Sequence, residues 1–464
     1  MSTEGRGAAR ANRRFRRLLY GCFAVLLLAA GGLTAANAVR GPTLDAVEYS
    51  GANLVARDGQ RVILRTDQAL ADNAAEGLRT EPEAEVDAQV DGSSIVLRFA
   101  QALRYDTDYR ITLPTVRGAF TTAESVIEFE VSTPDTDVYS LVRDPDGDDE
   151  LRRQGLGAGS EGSVVFASPR IQEYARLRSL IAVATLDDED RSGLSVVGTR
   201  GEDPFEVGLP DVGNIESLQG VGDVLGFAFT AATPGAVNDA LYVMNLADGS
   251  GVVNPVLGAD GAPLQVLDWR FVPGTSSIVA QTYDQSLYLV DPLGETPTSP
   301  LGQHAELRGF IPGTATLIVA DPDRGTLIDL TSGDVTTLEL PEETETVGTT
   351  PGELVVIDDS LRYAQEFTSP QTTSAGTTFD AVVAVTDAEG TRVVFETATP
   401  ASRIGRLCPS PNGQYLAIET ISPESLTDGY PGLPAASAIT TVFVDLDTGE
   451  ATRSVVGFLP GWCR

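Results

Sequence analysis

One pattern returns six times in the second half of the chain and limits the folds available to it. An apolar, β-branched strand (Leu180–Ala184, Val224–Phe229, Ser277–Ala280, Leu317–Ala320, Leu354–Ile357, Tyr415–Ile418) is followed by a second strand and a glycine turn. The turns are Arg200-Gly201-Glu202, Asp248-Gly249-Ser250, Leu293-Gly294-Glu295, Ser332-Gly333-Asp334, Glu389-Gly390-Thr391 and Thr448-Gly449-Glu450. A closing strand follows most of them, as in Val335–Leu340 and Thr452–Val456. Units of this kind, at intervals of roughly 40 residues, predict a β-propeller, because one small sheet cannot bury both of its faces and must stack on its neighbours around an axis. The ring has six blades, or seven if Val138–Arg143 and Glu150–Gln154 are parts of another. A tandem of β-sandwiches is the alternative.

In the last unit, Ser410-Pro411-Asn412-Gly413-Gln414-Tyr415-Leu416-Ala417 and Val444-Asp445-Leu446-Asp447-Thr448-Gly449-Glu450 resemble the signature of TolB-like and WD40-like propellers. The resemblance covers about residues 136–464, is partial at Phe271–Ala280 and Phe310–Ala320, and is degenerate elsewhere.

Upstream, Arg61–Arg65, Ile95–Phe99, Tyr109–Leu113 and Val126–Val131 alternate with the two-residue period of half-buried strands, separated by turn formers such as Asp58-Gly59 and Asp91-Gly92. They predict a β-sandwich over residues 45–133. Asp91–Leu97, Ala102–Ile111 and Glu128–Thr133 resemble the SbsA-type bacterial Ig-like domain. That resemblance implies a spacer or adhesive module and lends no catalytic residues.

The amino terminus sets the compartment. Arg13, Arg14, Arg16 and Arg17 close a basic tail (1–17), and residues 18–36 follow without a charge. About 20 apolar residues cross a bilayer, and basic residues favour the cytoplasmic side. The expectation is a transmembrane helix or uncleaved signal anchor over 18–36, a cytoplasmic amino terminus and an extracytoplasmic body. The alternative is secretion after cleavage near Ala38, since Ala36-Asn37-Ala38 fits a small-residue cleavage pattern. Cys22 reads as a small apolar residue within the run.

Seven arginines and one glutamate leave residues 1–40 at +6, so the rest of the chain carries −40 of the total −34. Such a body repels nucleic acid and anionic headgroups and attracts a basic partner or cations. All 32 basic residues are arginine, which excludes P-loop and Schiff-base lysines. Cys408 and Cys463 lie in the exported part, where an oxidising compartment predicts a disulfide, worth about 3–4 kcal/mol in the loop-entropy model.

The loops that grow are Asp358–Thr378 and Ser422–Ala438, carrying Tyr363, Phe367, Tyr430, Pro431 and Leu433. Insertions in repeat proteins collect on one face, often the binding face, so these side chains are expected as exposed anchors for a protein or glycan; packing on the rim is the alternative. Asp188, Asp190 and Ser192 match the opening of a calcium loop, but its twelfth position is Thr199, not a carboxylate, and a solvated acidic turn is the ordinary reading. Asp144–Glu150 resembles such a loop more loosely. His304 has no nucleophile motif beside it, and no HExxH, GxSxG, CxxC or GxGxxG stands in a convincing context. No cofactor and no catalytic residue is therefore expected. The function expected is that of an envelope binding or scaffold protein, an Ig-like spacer presenting a propeller. The alternative is a cell-wall glycan hydrolase using Asp268, Asp321 or Asp358.

Overall fold

In the computed structural model, residues 19–26, 40–56, 58–121, 123–157, 161–249, 251–294, 296–373 and 376–462 are described. The chain is nearly all β and divides into two compact units, Met1–Pro134 and Asp135–Arg464. Residues 19–26 of the apolar run are helical and exposed; the remainder of 18–36 and the tail 1–17 lie outside the described residues. No described helix is long and apolar enough to cross a membrane.

The first unit is built from β1 (Leu44–Glu48), β2 (Arg61–Thr66), β3 (Arg79–Glu81), β4 (Val86–Asp91), β5 (Ser94–Phe99), β6 (Asp108–Arg117) and β7 (Glu124–Ser132). They form one antiparallel sheet in the order β1-β2-β5-β4 and a second in the order β3-β6-β7. Alternation dictates which side chains meet. Val62 and Leu64 of β2, Ile95, Leu97 and Phe99 of β5, and Tyr109, Ile111 and Leu113 of β6 share one core drawn from both sheets.

Among the described residues the second unit holds seven antiparallel sheets. Six have four strands each, spanning residues 171–207, 213–255, 268–303, 306–337, 350–396 and 403–456; the first, 137–168, has three. Taken in chain order as blades 1 to 7, each shares an apolar cluster with the next. Blade 2 meets blade 3 at Ala182, Leu194, Phe227 and Phe229, and blade 3 meets blade 4 at Val243, Trp269 and Ile278. Leu287 with Leu317, Ile318 with Val356, and Val383 with Ile418 continue the series through blade 7. Blade 7 then meets blade 1 at Phe443 and Val138, and blade 1 meets blade 2 at Leu151 and Ile181. That closed cycle of neighbours is consistent with a β-propeller of seven blades.

The ring closes through its last residues. Blade 1 lacks a strand at its inner edge, and the segment after Gly457 supplies one: Leu141 and Phe458 exchange both backbone hydrogen bonds, at 2.9 and 3.0 Å, and Gly461 N donates to Tyr139 O at 3.1 Å. Gly457 makes this approach possible. Its φ is +115°, and a Cβ there would stand 2.6 Å from Leu141 O. Cys408 is buried and disulfide-bonded; Cys463, its expected partner, lies outside the described residues.

Two features differ from the sequence reading. The first strand of most blades is not legible in the sequence, so six of the sheets have four strands where three are expected. The second difference is in blade 6, where the expected loop Asp358–Thr378 is mostly strand: Tyr363–Thr373 pairs with Gly376–Asp387. Its Ser, Thr, Gln and Pro content reads as loop, and pairing overrides that preference. Pro370 is tolerated because the neighbouring strand stops pairing at Thr368, which leaves one edge of the hairpin free.

Candidate functional site

The first strands of successive blades touch one another around the axis, from blade 2 through blade 5 and again between blades 6 and 7. Several of these strands carry a register shift, in blade 3 between Glu216 and Gln219 and in blade 7 between Ile404 and Leu407. A bulge leaves a residue outside the ladder, and its N–H needs another acceptor. Here the preceding blade provides it. Glu173 Oε1 accepts from Leu218 N at 3.1 Å, and Glu353 Oε2 accepts from Leu407 N at 3.1 Å. Other junctions are tied in the same manner: Asp149 Oδ2 accepts from Ile171 N at 2.7 Å, Gln219 Nε2 donates to Trp269 O at 2.7 Å, and Gln281 Nε2 donates to His304 O at 2.7 Å. Asp149, Glu173 and Glu353 are thus engaged in holding blades together.

Glu419 joins blade 7 to the closing strand. It is 4% exposed, its Oε1 accepts from Leu459 N at 2.8 Å and its Oε2 from Arg406 N at 3.3 Å. Burial pushes its carboxyl above the ordinary value of 4.5, against the lowering pull of those amides and of the Arg406 charge. The folded state therefore holds this proton more tightly than the unfolded chain. The group's contribution to stability is full below 4.5 and is lost as pH rises through its raised folded value. The unfolding free energy of the wild type minus that of Glu419→Gln should therefore fall as pH rises from about 4 to about 7. A difference that stays flat across chemical-denaturation series in that range refutes the assignment.

The loop 422–438 crosses from blade 7 and docks on blades 1 and 2. Arg143, which follows the first strand of blade 1, organises the contact. Its Nη1 lies 2.5 Å from Asp428 Oδ2 and donates to Leu433 O at 2.9 Å; its Nε and Nη2 donate to Ile171 O and Gln172 O at 3.1 and 2.7 Å. The guanidinium lies 3.6 Å from the Tyr430 ring centroid and 5.0 Å from that of Phe458. The Tyr430 hydroxyl donates to Asp149 Oδ2. Burial, followed by that bond and the charge of Asp149, raises the hydroxyl well above the usual tyrosine range.

Beneath the loop lies a cavity of about 310 Å³, lined by Arg403, Arg406 and Glu419 together with apolar side chains that include Leu426, Leu433, Ile439 and Phe458. This is the candidate site.

The residues singled out in the sequence are placed as follows. Tyr363 and Phe367, expected as exposed anchors, are 4% exposed on the strand Tyr363–Thr373, because their alternation turns them into the core. Tyr430 is half-buried under Arg143, and Leu433 packs against the cluster of blades 1 and 2, so neither is a free anchor. Pro431 is exposed. Asp190 pairs with Arg170 at 2.7 Å, Ser192 Oγ accepts from Ile215 N at 2.9 Å, and Asp188 is exposed in the same turn. Among the described residues no group of three or more His, Cys, Asp or Glu side chains is placed to hold a metal. Asp268, Asp321 and Asp358 are not brought together: they pair with Arg270, His304 and Arg362 respectively. The hydrogen bonds of Asp321 with Ala305 N and of its side chain with His304 lower its pKa.

Arg143, Arg403, Arg406 and Glu419 escaped the sequence reading. For Glu419 a signal existed, a lone acid inside the apolar strand Tyr415–Ile421.

No family model matches the chain, and no curated protein does. Among solved structures it is similar to a protein of unknown function from Bacteroides thetaiotaomicron (11% identity, TM-score 0.34, 82% of this chain and 95% of the other). It is similar to an auxiliary nutrient binding protein of the same organism (9%, 0.30, 76% and 85%). It is also similar to a prolyl endopeptidase (11%, 0.45, 76%), of which it covers 48%. The fold assignment rests on the sheet order and the cycle of shared cores.

Proposed function

We propose that this chain is a membrane-tethered, extracytoplasmic binding or scaffold protein of the bacterial cell envelope. The first unit is a spacer and the ring presents the interaction surface. The basic tail and uncharged run 18–36 support the tether, and a body at −40 supports a location away from nucleic acid. The strand order β1-β2-β5-β4 against β3-β6-β7 is the order of a constant-type Ig sandwich, which supports an Ig-like spacer.

One observation carries the reading. The 422–438 insertion is held by Arg143 over a cavity that the ring's carboxylates do not fill with paired charge. A loop fixed in this manner offers a preformed face, which lowers the ordering cost of binding.

The test is capture of partners from cell-envelope extract by the full chain, compared with a variant whose residues 426–436 are replaced by a Gly-Ser linker. Loss of a specific partner in the variant is expected; identical capture by both overturns this face. A glycan hydrolase is the second reading, and Glu419 favours it, since a carboxyl raised by burial beside a cavity is suited to donate a proton. Release of wall fragments that vanishes in Glu419→Gln would establish it.

A further inference from the structure

We propose that the cavity beneath the 422–438 loop takes a small organic acid, a carboxylate carried on an apolar body. The inference rests on the reading of that ring end as the binding face.

The register shift in blade 7 makes the site. In a regular strand, residues three apart point to opposite faces. The shift between Ile404 and Leu407 changes the phase, so that Arg403 and Arg406 both line the cavity. Gly405 between them leaves room for this arrangement, since a Cβ there would stand 3.0 Å from Glu419 Oε2.

Both arginines are exposed, and neither is in an ion pair among the described residues. In a body at −40, two arginines that make no direct ion pair are conspicuous, although the charge of Arg406 also acts on Glu419 and Glu353. The near acid, Glu419, directs its oxygens to the backbone amides of Leu459 and Arg406. Two arginines therefore line the cavity with guanidinium donors of the kind that match a carboxylate.

Much of the remaining lining is apolar. It includes Leu433, Ile439 and Phe458, and Leu426 stands at 75% exposure among the lining residues. An inorganic anion would leave that surface in water, and a cation would meet the arginines. An acid with a short apolar body uses both kinds of lining. About 310 Å³ is at the lower end of the range for small-molecule sites.

The test titrates the full chain with hexanoate, hexanamide and inorganic phosphate, read by calorimetry and by ligand-observed NMR. Saturable binding of hexanoate is expected, with hexanamide and phosphate each at least about tenfold weaker. The double variant Arg403→Gln/Arg406→Gln should bind hexanoate no better than hexanamide at an unchanged unfolding midpoint, and Leu426→Ser should weaken hexanoate while leaving phosphate unchanged. Binding of hexanamide or phosphate as tight as hexanoate overturns the proposal, as does hexanoate binding that survives the double variant. If hexanoate fails to bind while an envelope partner is still captured through the loop, this inference falls and the scaffold reading stands. If both fail, both fall.

Discussion

Replacing Phe458 and Leu459 together by alanine is expected to remove about 5–8 kcal/mol from the stability of the ring unit. Both side chains are nearly inaccessible, at 6% and 3% exposure, in the cluster that joins blades 1 and 2 with Ile439 of blade 7. Truncation of a buried Phe costs about 3–5 kcal/mol and of a buried Leu about 2–5, and adjacent sites do not add fully. A whole domain holds about 5–15 kcal/mol, so the double variant stands at the edge of unfolding. The effect is large because this segment is the inner strand of blade 1 and ties the end of the ring to its beginning by paired backbone hydrogen bonds. The chain has two tryptophans, Trp269 and Trp462, both in the ring unit, so fluorescence during urea unfolding reports that unit alone. Val456→Ala, 62% exposed and two residues earlier, should change stability by no more than about 0.5 kcal/mol. A double-variant loss below about 2 kcal/mol would show that closure does not depend on this strand.

Arg143→Ala should cost about 3–5 kcal/mol, because it leaves a partner charge buried without compensation. The Arg143 and Asp428 side chains are 6% and 11% exposed. The variant also strands the carbonyls of Leu433, Ile171 and Gln172, and removes the cation over Tyr430. Arg143→Lys should recover little, since a point charge cannot serve four acceptors in a planar fork. Hydrogen exchange gives the more specific readout: protection of residues 422–438 should fall well before the ring unfolds. Unchanged protection of the loop in Arg143→Ala would mean that the loop is held by its own bonds, such as those of Leu426 and Ser437.

The parts of the fold legible in the sequence are those whose signal is local. Leu180–Leu186, Val224–Ala231 and Tyr415–Ile421 are apolar runs that glycine turns follow, and they are the second strands of blades 2, 3 and 7. Val62, Leu64, Ile95 and Leu97 alternate because one face of their sheet is buried. Ile171–Arg176 and Arg403–Pro409 carry no such signal. Partners of their polar groups lie elsewhere in the fold: Glu173 answers Leu218 N on the next blade, and in the neighbouring loop Tyr430 reaches Asp149, hundreds of residues away. The aromatics read as anchors went inward for the same reason. Burial of Tyr363 and Phe367 depends on a hairpin partner that composition alone does not announce.

Sequence alone therefore settled that this is a strand-rich chain with an uncharged run near its start, a strongly acidic body and a repeating strand–turn unit, because these follow from residue type and period over short windows. The count of seven, the closure through Phe458, the carboxylates that cap neighbouring bulges, and the convergence of Arg403 with Arg406 emerged only in three dimensions. The last two depend on a one-residue register shift, and all four on which blades lie side by side, which no short window of residues records.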